Sequence, residues 1–402
     1  MKSVEALLAQ LVQTPSQALV NDLGAIVKVI TAWLDSHGVA YLLTTNAAGQ
    51  PDAIVINPAP EGRDGISDEV WMLNACVDTA PVGDLGQWRH QPFAATVEDG
   101  WLYGRGSSDS KAAVALFCEL ARSTKLTGKA PKKGSTEKRR RVTVVFDCDE
   151  HSGRFGGIRS ATARLGYPKH CAIGYPGMHE IVTGSRGFHR TTVTLRGAMG
   201  HSGADTVPTE LAADKLQRLL KAVSDFNARK PTGQHAVTAD FPIPPRASIT
   251  GLRTGAKTHS VTAAKIECLL DIRVTPAFDV ADAQGWLDKT LARIARECGD
   301  AHPSSVSKPN TWPPYHTPHD ALLPRLMETA AAKVLGSAPP LVVCGPGNIG
   351  NFLSAHGTQV LCGFGVEFKN AHGPDECARL STLAPVFKTY QAAVKAYVAG
   401  GA

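Results

Sequence analysis

At 402 residues the chain is too long for one ordinary domain and suits two cores, and its 43% apolar content is that of a globular protein. The formal charge of +6 is concentrated at residues 125–141, KLTGKAPKKGSTEKRRR, where eight Lys or Arg face one Glu. No aromatic residue interleaves that block to stack bases, so it reads as a solvated loop between a helix and a strand, and nucleic acid is not an expected partner.

The opening residues read as helices, one amphipathic segment and then residues 21–36, which carry apolar side chains at helical spacing. Strand-like runs follow at 40–45, 53–57 and 70–77, the last continuously apolar as a buried strand should be. A glycine-rich turn at 104–109 leads into a helix at 110–123. A second buried strand at 142–147 precedes a polar turn, a helix near 157–165 and a strand near 170–174. Strands alternating with helices predict an α/β domain whose mixed sheet is covered by helices.

The pattern then changes. Residues 187–196 alternate as a strand, 208–227 form a long amphipathic helix, 247–250 and 265–274 are strands, and 280–298 a second helix. These make a smaller inserted α+β unit. The Pro-rich segment 303–316 reads as a linker, after which α/β alternation resumes: a helix from residue 320, strands near 341 and 358, and a closing helix at 383–398. The expected division is a catalytic domain from 1–185 and 299–402, with a lid or dimerisation domain at 186–298.

No apolar run is long enough to cross a bilayer, and the N-terminus lacks the apolar stretch of a secretory signal, so no membrane partner and a cytoplasmic location are expected. Nine scattered cysteines without a CxxC pair fit reduced thiols there. Most lie in apolar runs as small core residues; Cys76 does not.

Four polar clusters fall at the ends of expected strands, where open α/β sheets place ligands. They are LNACVD (73–78), GRGSSDSK (104–111), DCDEHSG (147–153) and NAHGPDE (370–376). Asp, Glu, His and Cys are first-row metal ligands, and Glu is also a common general base. Singly each cluster is weak, since an Asp before a helix is most often an N-cap and a His beside Gly-Pro most often a loop residue. Together they point to a metal hydrolase.

The stretch LNACVDTAPVGDLGQWRHQPFAATVEDGWLYGRGSSDSKAAVA resembles the metal-binding region of the family containing acetylornithine deacetylase, succinyl-diaminopimelate desuccinylase, aminoacylase and glutamate carboxypeptidase. That family typically reads LNGHxDTVPVGD…DGxLYGRGxxDxKG there. The resemblance continues in order through DEHSG (family DEExG), GYP (family GEP), GAMGHSG (family GxxAHSS), DIRVTP and NAHGPDE. It implies a catalytic α/β domain with an inserted α+β lid that forms a homodimer or higher homo-oligomer, and two zinc ions bridged by one aspartate. It further implies that Asp109 is the bridging ligand, Glu150 the general base, His372 a late ligand, and Asp78 the carboxylate orienting the first ligand. His201 matches a lid histidine that steadies the oxyanion in the partner subunit's site.

Three ligand positions depart from the pattern. Cys76 replaces the first metal's histidine, Tyr175 the acidic ligand of GEP, and His151 the second metal's glutamate. A tyrosine with a reference pKa of about 10 is a poor zinc ligand. The expectation is therefore one divalent ion, zinc or manganese, loosely held by Asp109, His151 and His372. Cys76 is either a fourth ligand or a bystander thiol, and Tyr175 a hydrogen-bond donor or a gate. The usual lid Asn and the late Arg, used near a substrate carboxylate, are replaced by Ser260 and Asn351; Arg186, Arg253 and His259 are substitute candidates.

The leading reading is a metal-dependent hydrolase of a C–N bond in a small molecule, an N-acyl amino acid, a peptide-like amide or similar. The alternatives are hydrolytic deamination of an aromatic amine, as in the related 5-nitroanthranilate aminohydrolase, and an inactive homologue kept as a binding or scaffold protein. Retention of Asp78, Asp109, Glu150, His201 and His372 together argues against decay.

Overall fold

The computed structural model describes residues 1–59, 68–130, 132, 137–206, 208–255 and 258–400. Part of the basic block at 125–141 therefore lies outside the described residues. The chain divides into two units, one of residues 1–184, 316–344 and 348–402, the other of residues 185–315 and 345–347.

The first unit is built on a six-stranded sheet in the order Tyr41–Thr45, Pro51–Ile56, Arg139–Asp147, Asp68–Cys76, His170–Ile173, Gln359–Leu361. The first two strands form an antiparallel hairpin, and the second pairs antiparallel with Arg139–Asp147. The remaining pairs are parallel, with Cys76 opposite Asp147 at their shared C-terminal end. The central strands are buried on both faces, which is why they read as unbroken apolar runs. On one face Trp71, Leu73, Ala75, Val142, Val144 and Phe146 share a core with helices Lys2–Gln13, Ala112–Ser123 and Leu383–Val398. Full burial of such a side chain stabilises by roughly 1.5–3 kcal/mol.

A second, antiparallel sheet in this unit escapes the sequence reading because its strands have only two or three residues each. Its order is Phe368–Lys369, Cys377–Arg379, Trp101–Tyr103, Thr96–Glu98. It ties the segment before Asp109 to both ends of the turn that carries His372.

The second unit is the expected α+β unit. Its sheet runs Arg246–Thr254, Lys265–Val274, Gly187–Arg196, Ser305–Val306, and Asn310–Trp312 also pairs with Gly187–Arg196. Helices Ala212–Asn227 and Val280–Cys298 contribute to its core through Leu219, Phe226, Leu287 and Ile294. Asp279 and Asp282 cap the second helix reciprocally, satisfying amides that helix starts leave free. Here the expected boundary is corrected. Residues 299–315 belong to this unit, because two short strands in the presumed linker hydrogen-bond along Gly187–Arg196.

Among the described residues no helix is long and apolar enough to cross a membrane. Cys76, Cys118, Cys148, Cys171, Cys268, Cys298 and Cys377 are free thiols, and the Cys344 and Cys362 sulfurs lie 3.6 Å apart.

Candidate active site

Three chain segments of the first unit meet beyond the C-terminal ends of Asp68–Cys76 and Arg139–Asp147. Two buried carboxylates shape the turn after the second strand. Asp147 accepts the amides of Asp149 at 2.6 Å and Ile158 at 2.8 Å. Asp78 accepts those of Glu150 at 3.1 Å and His151 at 2.8 Å. Burial, then the nearby Asp78 charge, pushes the Asp147 carboxyl well above its usual range. The family resemblance gave Asp78 the task of orienting the first ligand. The Asp78 carboxylate lies within 4.8 Å of ligand atoms of both Cys76, at that first-ligand position, and His151, whose Nδ1 is 3.4 Å from Asp78 Oδ2 and 3.3 Å from Glu150 Oε2.

Asp109 follows the glycine-rich turn, where Gly106 sits at φ +81° and a Cβ would run into the Thr79 methyl and the Lys111 stem. The Asp109–Ser110 peptide is cis. His372 lies in a turn whose Asn370, His372 and Asp375 all have positive φ. Each such non-glycine residue costs about 1–2 kcal/mol, so external bonds must hold the turn. Several do: Asp375 accepts the amides of His90 at 2.9 Å and Arg89 at 3.1 Å, and Arg105 donates to the His372 carbonyl at 3.0 Å.

His372 Nε2 lies 2.9 Å from Asp109 Oδ2, and the His372 and His151 rings are 5.1 Å apart between centroids. Burial works to raise the Asp109 carboxyl, but the hydrogen bond to His372 and the charges around it hold it below the ordinary value. One donor atom from each of Asp109, His151 and His372 falls within 4.8 Å of the others. A second grouping, Cys76, Asp78 and His151, shares His151.

These residues fit a divalent cation. The donor set is one carboxylate and two imidazoles, which suits zinc or manganese. The buried His151 nitrogens have near neighbours but no aligned hydrogen-bond partner among the described residues, a deficit a cation would relieve. Of the two groupings, the one with His372 is the better site. The His372 side chain is 54% exposed and opens to solvent, whereas both Asp78 oxygens already accept backbone amides.

Cys76 is buried, 3.2 Å from the Ser110 hydroxyl and 3.9 Å from Asp109 Oδ1. Burial pushes its thiol far up, although His151 pulls the other way. Tyr175 is also pushed well above its usual value, by burial and then by the Glu150 carboxylate, and remains a neutral phenol. It donates to Glu150 Oε1 at 2.8 Å. Burial raises the Glu150 carboxyl, while His151 and the Tyr175 hydroxyl oppose that rise. Burial pulls the nearby Lys111 ammonium down to about 7; it donates to the Thr14 carbonyl at 3.0 Å.

The other expected site residues lie elsewhere. Asn351 is in the first unit, buried at the start of helix Ile349–Ala355. Its Oδ1 accepts the Asn348 amide at 2.7 Å, so that oxygen serves a helix cap. In the second unit, His201 bridges Val261 and sits beside Ser260, whose carbonyl accepts the Ser202 amide at 2.8 Å. His201 Nδ1 accepts the Gly203 amide at 3.1 Å. His259 and Arg253 are exposed, the latter opposite Glu267 on the neighbouring strand. Arg186 donates to the Gly345 carbonyl at 3.1 Å and the Pro244 carbonyl at 2.8 Å.

Sequence reasoning missed Glu376. It is buried, and it binds Arg105, Ser108 and the Asp109 amide. Its only sequence signal was its place at the end of NAHGPDE, where the histidine drew the functional reading.

Residues 72–396 match the model of Peptidase family M20/M25/M40. Succinyl-diaminopimelate desuccinylase of Acidiphilium cryptum is 29% identical over 78% of this chain and 79% of its own length. The protein of the same name from Parvibaculum lavamentivorans is 25% identical over 98% and 95%. In fold, the chain is similar to an M20 family metallo-carboxypeptidase from Sulfolobus solfataricus, with a TM-score of 0.74 at 16% identity over 99% of this chain and 100% of that one.

Proposed function

The chain belongs to peptidase family M20/M25/M40 and is a metal-dependent amide hydrolase, and on that premise we propose that it works with one divalent ion, zinc or manganese, held by Asp109, His151 and His372. The substrate is a small N-acyl amino acid, a peptide-like amide or a similar molecule. The convergence of those three donor groups carries the proposal. The substitutions at Cys76 and Tyr175 support a count of one, because a buried thiol and a phenol bonded to Glu150 stand where the family pattern places a histidine and a carboxylate.

A bound divalent cation supplies Lewis acidity, lowering the pKa of a nearby water and polarising the attacked carbonyl. The chain supplies the rest. Glu150 accepts the proton of the attacking water and returns it to the leaving nitrogen. Tyr175 holds one Glu150 oxygen, which leaves the other, Oε2, to carry the proton. Asp78 fixes the backbone that bears both Glu150 and His151. The same reading assigns the developing oxyanion to His201 from a second copy of the chain. It pairs the copies through the second unit, whose edge strand Arg246–Thr254 exposes Leu252.

The test is hydrolysis of a panel of N-succinyl and N-acetyl amino acids, dipeptides and aromatic amines, before and after chelation. Amide cleavage that is lost on chelation and restored by zinc or manganese supports the reading. Release of ammonia from an aromatic amine alone would replace it with deamination, and inertness toward the whole panel would leave only the scaffold reading.

A further inference from the structure

The ends of the glycine-rich turn and the NAHGPDE turn are joined by one buried ion pair. Arg105 and Glu376 side chains are each 1% exposed, with Nη1 and Oε2 2.6 Å apart. Each partner then reaches the other's functional segment. The second Glu376 oxygen accepts the Asp109 amide at 3.2 Å, the Ser108 amide at 3.1 Å and the Ser108 hydroxyl at 2.9 Å. The Arg105 Nη2 donates to the His372 carbonyl at 3.0 Å and the Pro81 carbonyl at 3.1 Å. The Glu376 carbonyl accepts the Gly104 amide at 2.8 Å, closing the short sheet against the turn.

Four of these contacts touch the two ligand-bearing residues or their immediate neighbours. A chain with only a stabilising ion pair would not need them there. His372 holds positive φ and is half exposed, so little of its own packing fixes it. Asp109 is separated from it by more than 260 positions, and the pair makes the connection.

We propose that Arg105 and Glu376 form a positioning latch that sets the separation of Asp109 from His372, and thereby how tightly the site holds its cation. The inference rests on the metal site proposed above. Neither residue touches the cation; both act through backbone atoms of the ligands. Groups that orient metal ligands typically change affinity by about 10–100-fold when removed.

The experiment compares wild-type protein with Glu376→Gln and with Arg105→Met/Glu376→Leu. Zinc and manganese dissociation constants are read by chelator competition on metal-free protein, with the Co(II) absorption spectrum and the melting temperature of the metal-free form alongside. The double apolar variant removes both buried charges together but strips the Asp109, Ser108, His372 and Pro81 groups of these partners, which lowers stability. The melt of the metal-free form sets a temperature at which every variant is folded, and affinity read there separates fold from positioning. The expected result is a metal affinity about 10–100-fold weaker and an altered Co(II) spectrum in both variants, read at a temperature where both are folded. Wild-type affinity and spectrum in the double variant would overturn the latch alone. Failure of the wild-type protein to bind any divalent ion would instead overturn the metal site, and the latch with it.

Discussion

The Tyr175 hydroxyl donates a 2.8 Å hydrogen bond to Glu150 Oε1, from the position where the family pattern GEP carries a carboxylate. That single relationship changes what the position does. A carboxylate there is an anionic ligand; a buried phenol is a neutral donor, and it supports the negative form of the base beside it. On the one-cation reading proposed above, the missing second metal and the tuning of the base are two consequences of one substitution.

Tyr175→Phe removes a bond that favours ionised Glu150, whose carboxyl is already raised by burial. The base must be ionised to act, so activity falls as pH drops through its pKa. Without the phenol that pKa rises further, and the acid limb of the kcat/KM profile moves to higher pH. Activity on the acid side should fall about tenfold, the worth of a hydrogen bond to a charged group. An unmoved acid limb would remove Tyr175 from the account.

Glu150→Gln keeps the shape and the acceptor for Tyr175 but cannot take a proton. Turnover should fall by about 10²–10⁴-fold, while the metal content stays at the wild-type level. Turnover near wild type would assign the base elsewhere.

Cys76→Ser tests the thiol. The buried sulfur lies 3.2 Å from the Ser110 hydroxyl and 3.9 Å from Asp109 Oδ1, and the proposed cation is held without it. Metal content per chain should be unchanged by the substitution. A loss of metal would make Cys76 the fourth ligand.

Much of the fold was legible because buried parallel strands write continuous apolar runs and the lid helices write a clear helical period. The closing helix Leu383–Val398 and the strand Lys265–Val274 fall where the sequence puts them. What escaped has short-range causes. Strands such as Phe368–Lys369 and Cys377–Arg379 are too brief to show a period, and helix Ile349–Ala355 follows a Gly-rich run and is announced only by its Asn348 cap. At the site, the four polar clusters were readable in the sequence, and the family resemblance named the candidate ligands within them. The roles of Asp78 and Asn351 were not, because they depend on which backbone amides face them. Glu376 was invisible for the same reason.

Away from the site, Asp68 accepts from Arg141 at 2.8 Å and Arg139 at 3.1 Å. Burial alone would raise its carboxyl, but the Arg141 and Arg139 guanidiniums outweigh that and hold it below the ordinary 3.8. A carboxyl depressed in the folded state contributes stability that is present above 3.8 and is lost as pH falls through the lower folded value. Asp68→Asn should therefore lower unfolding free energy by about 1–3 kcal/mol at neutral pH in urea titrations, and the gap from wild type should narrow below that pH. A constant gap down to strong acid would deny the ion pair this role.

The central claim is a site for one cation, and elemental analysis of the purified protein, after equilibration with zinc or manganese and removal of excess, addresses it directly. The account predicts about one bound ion per chain, reduced to none by His372→Ala. Two ions per chain would mean that Cys76 or Tyr175 binds after all, and a protein that retains none would contradict the claim outright.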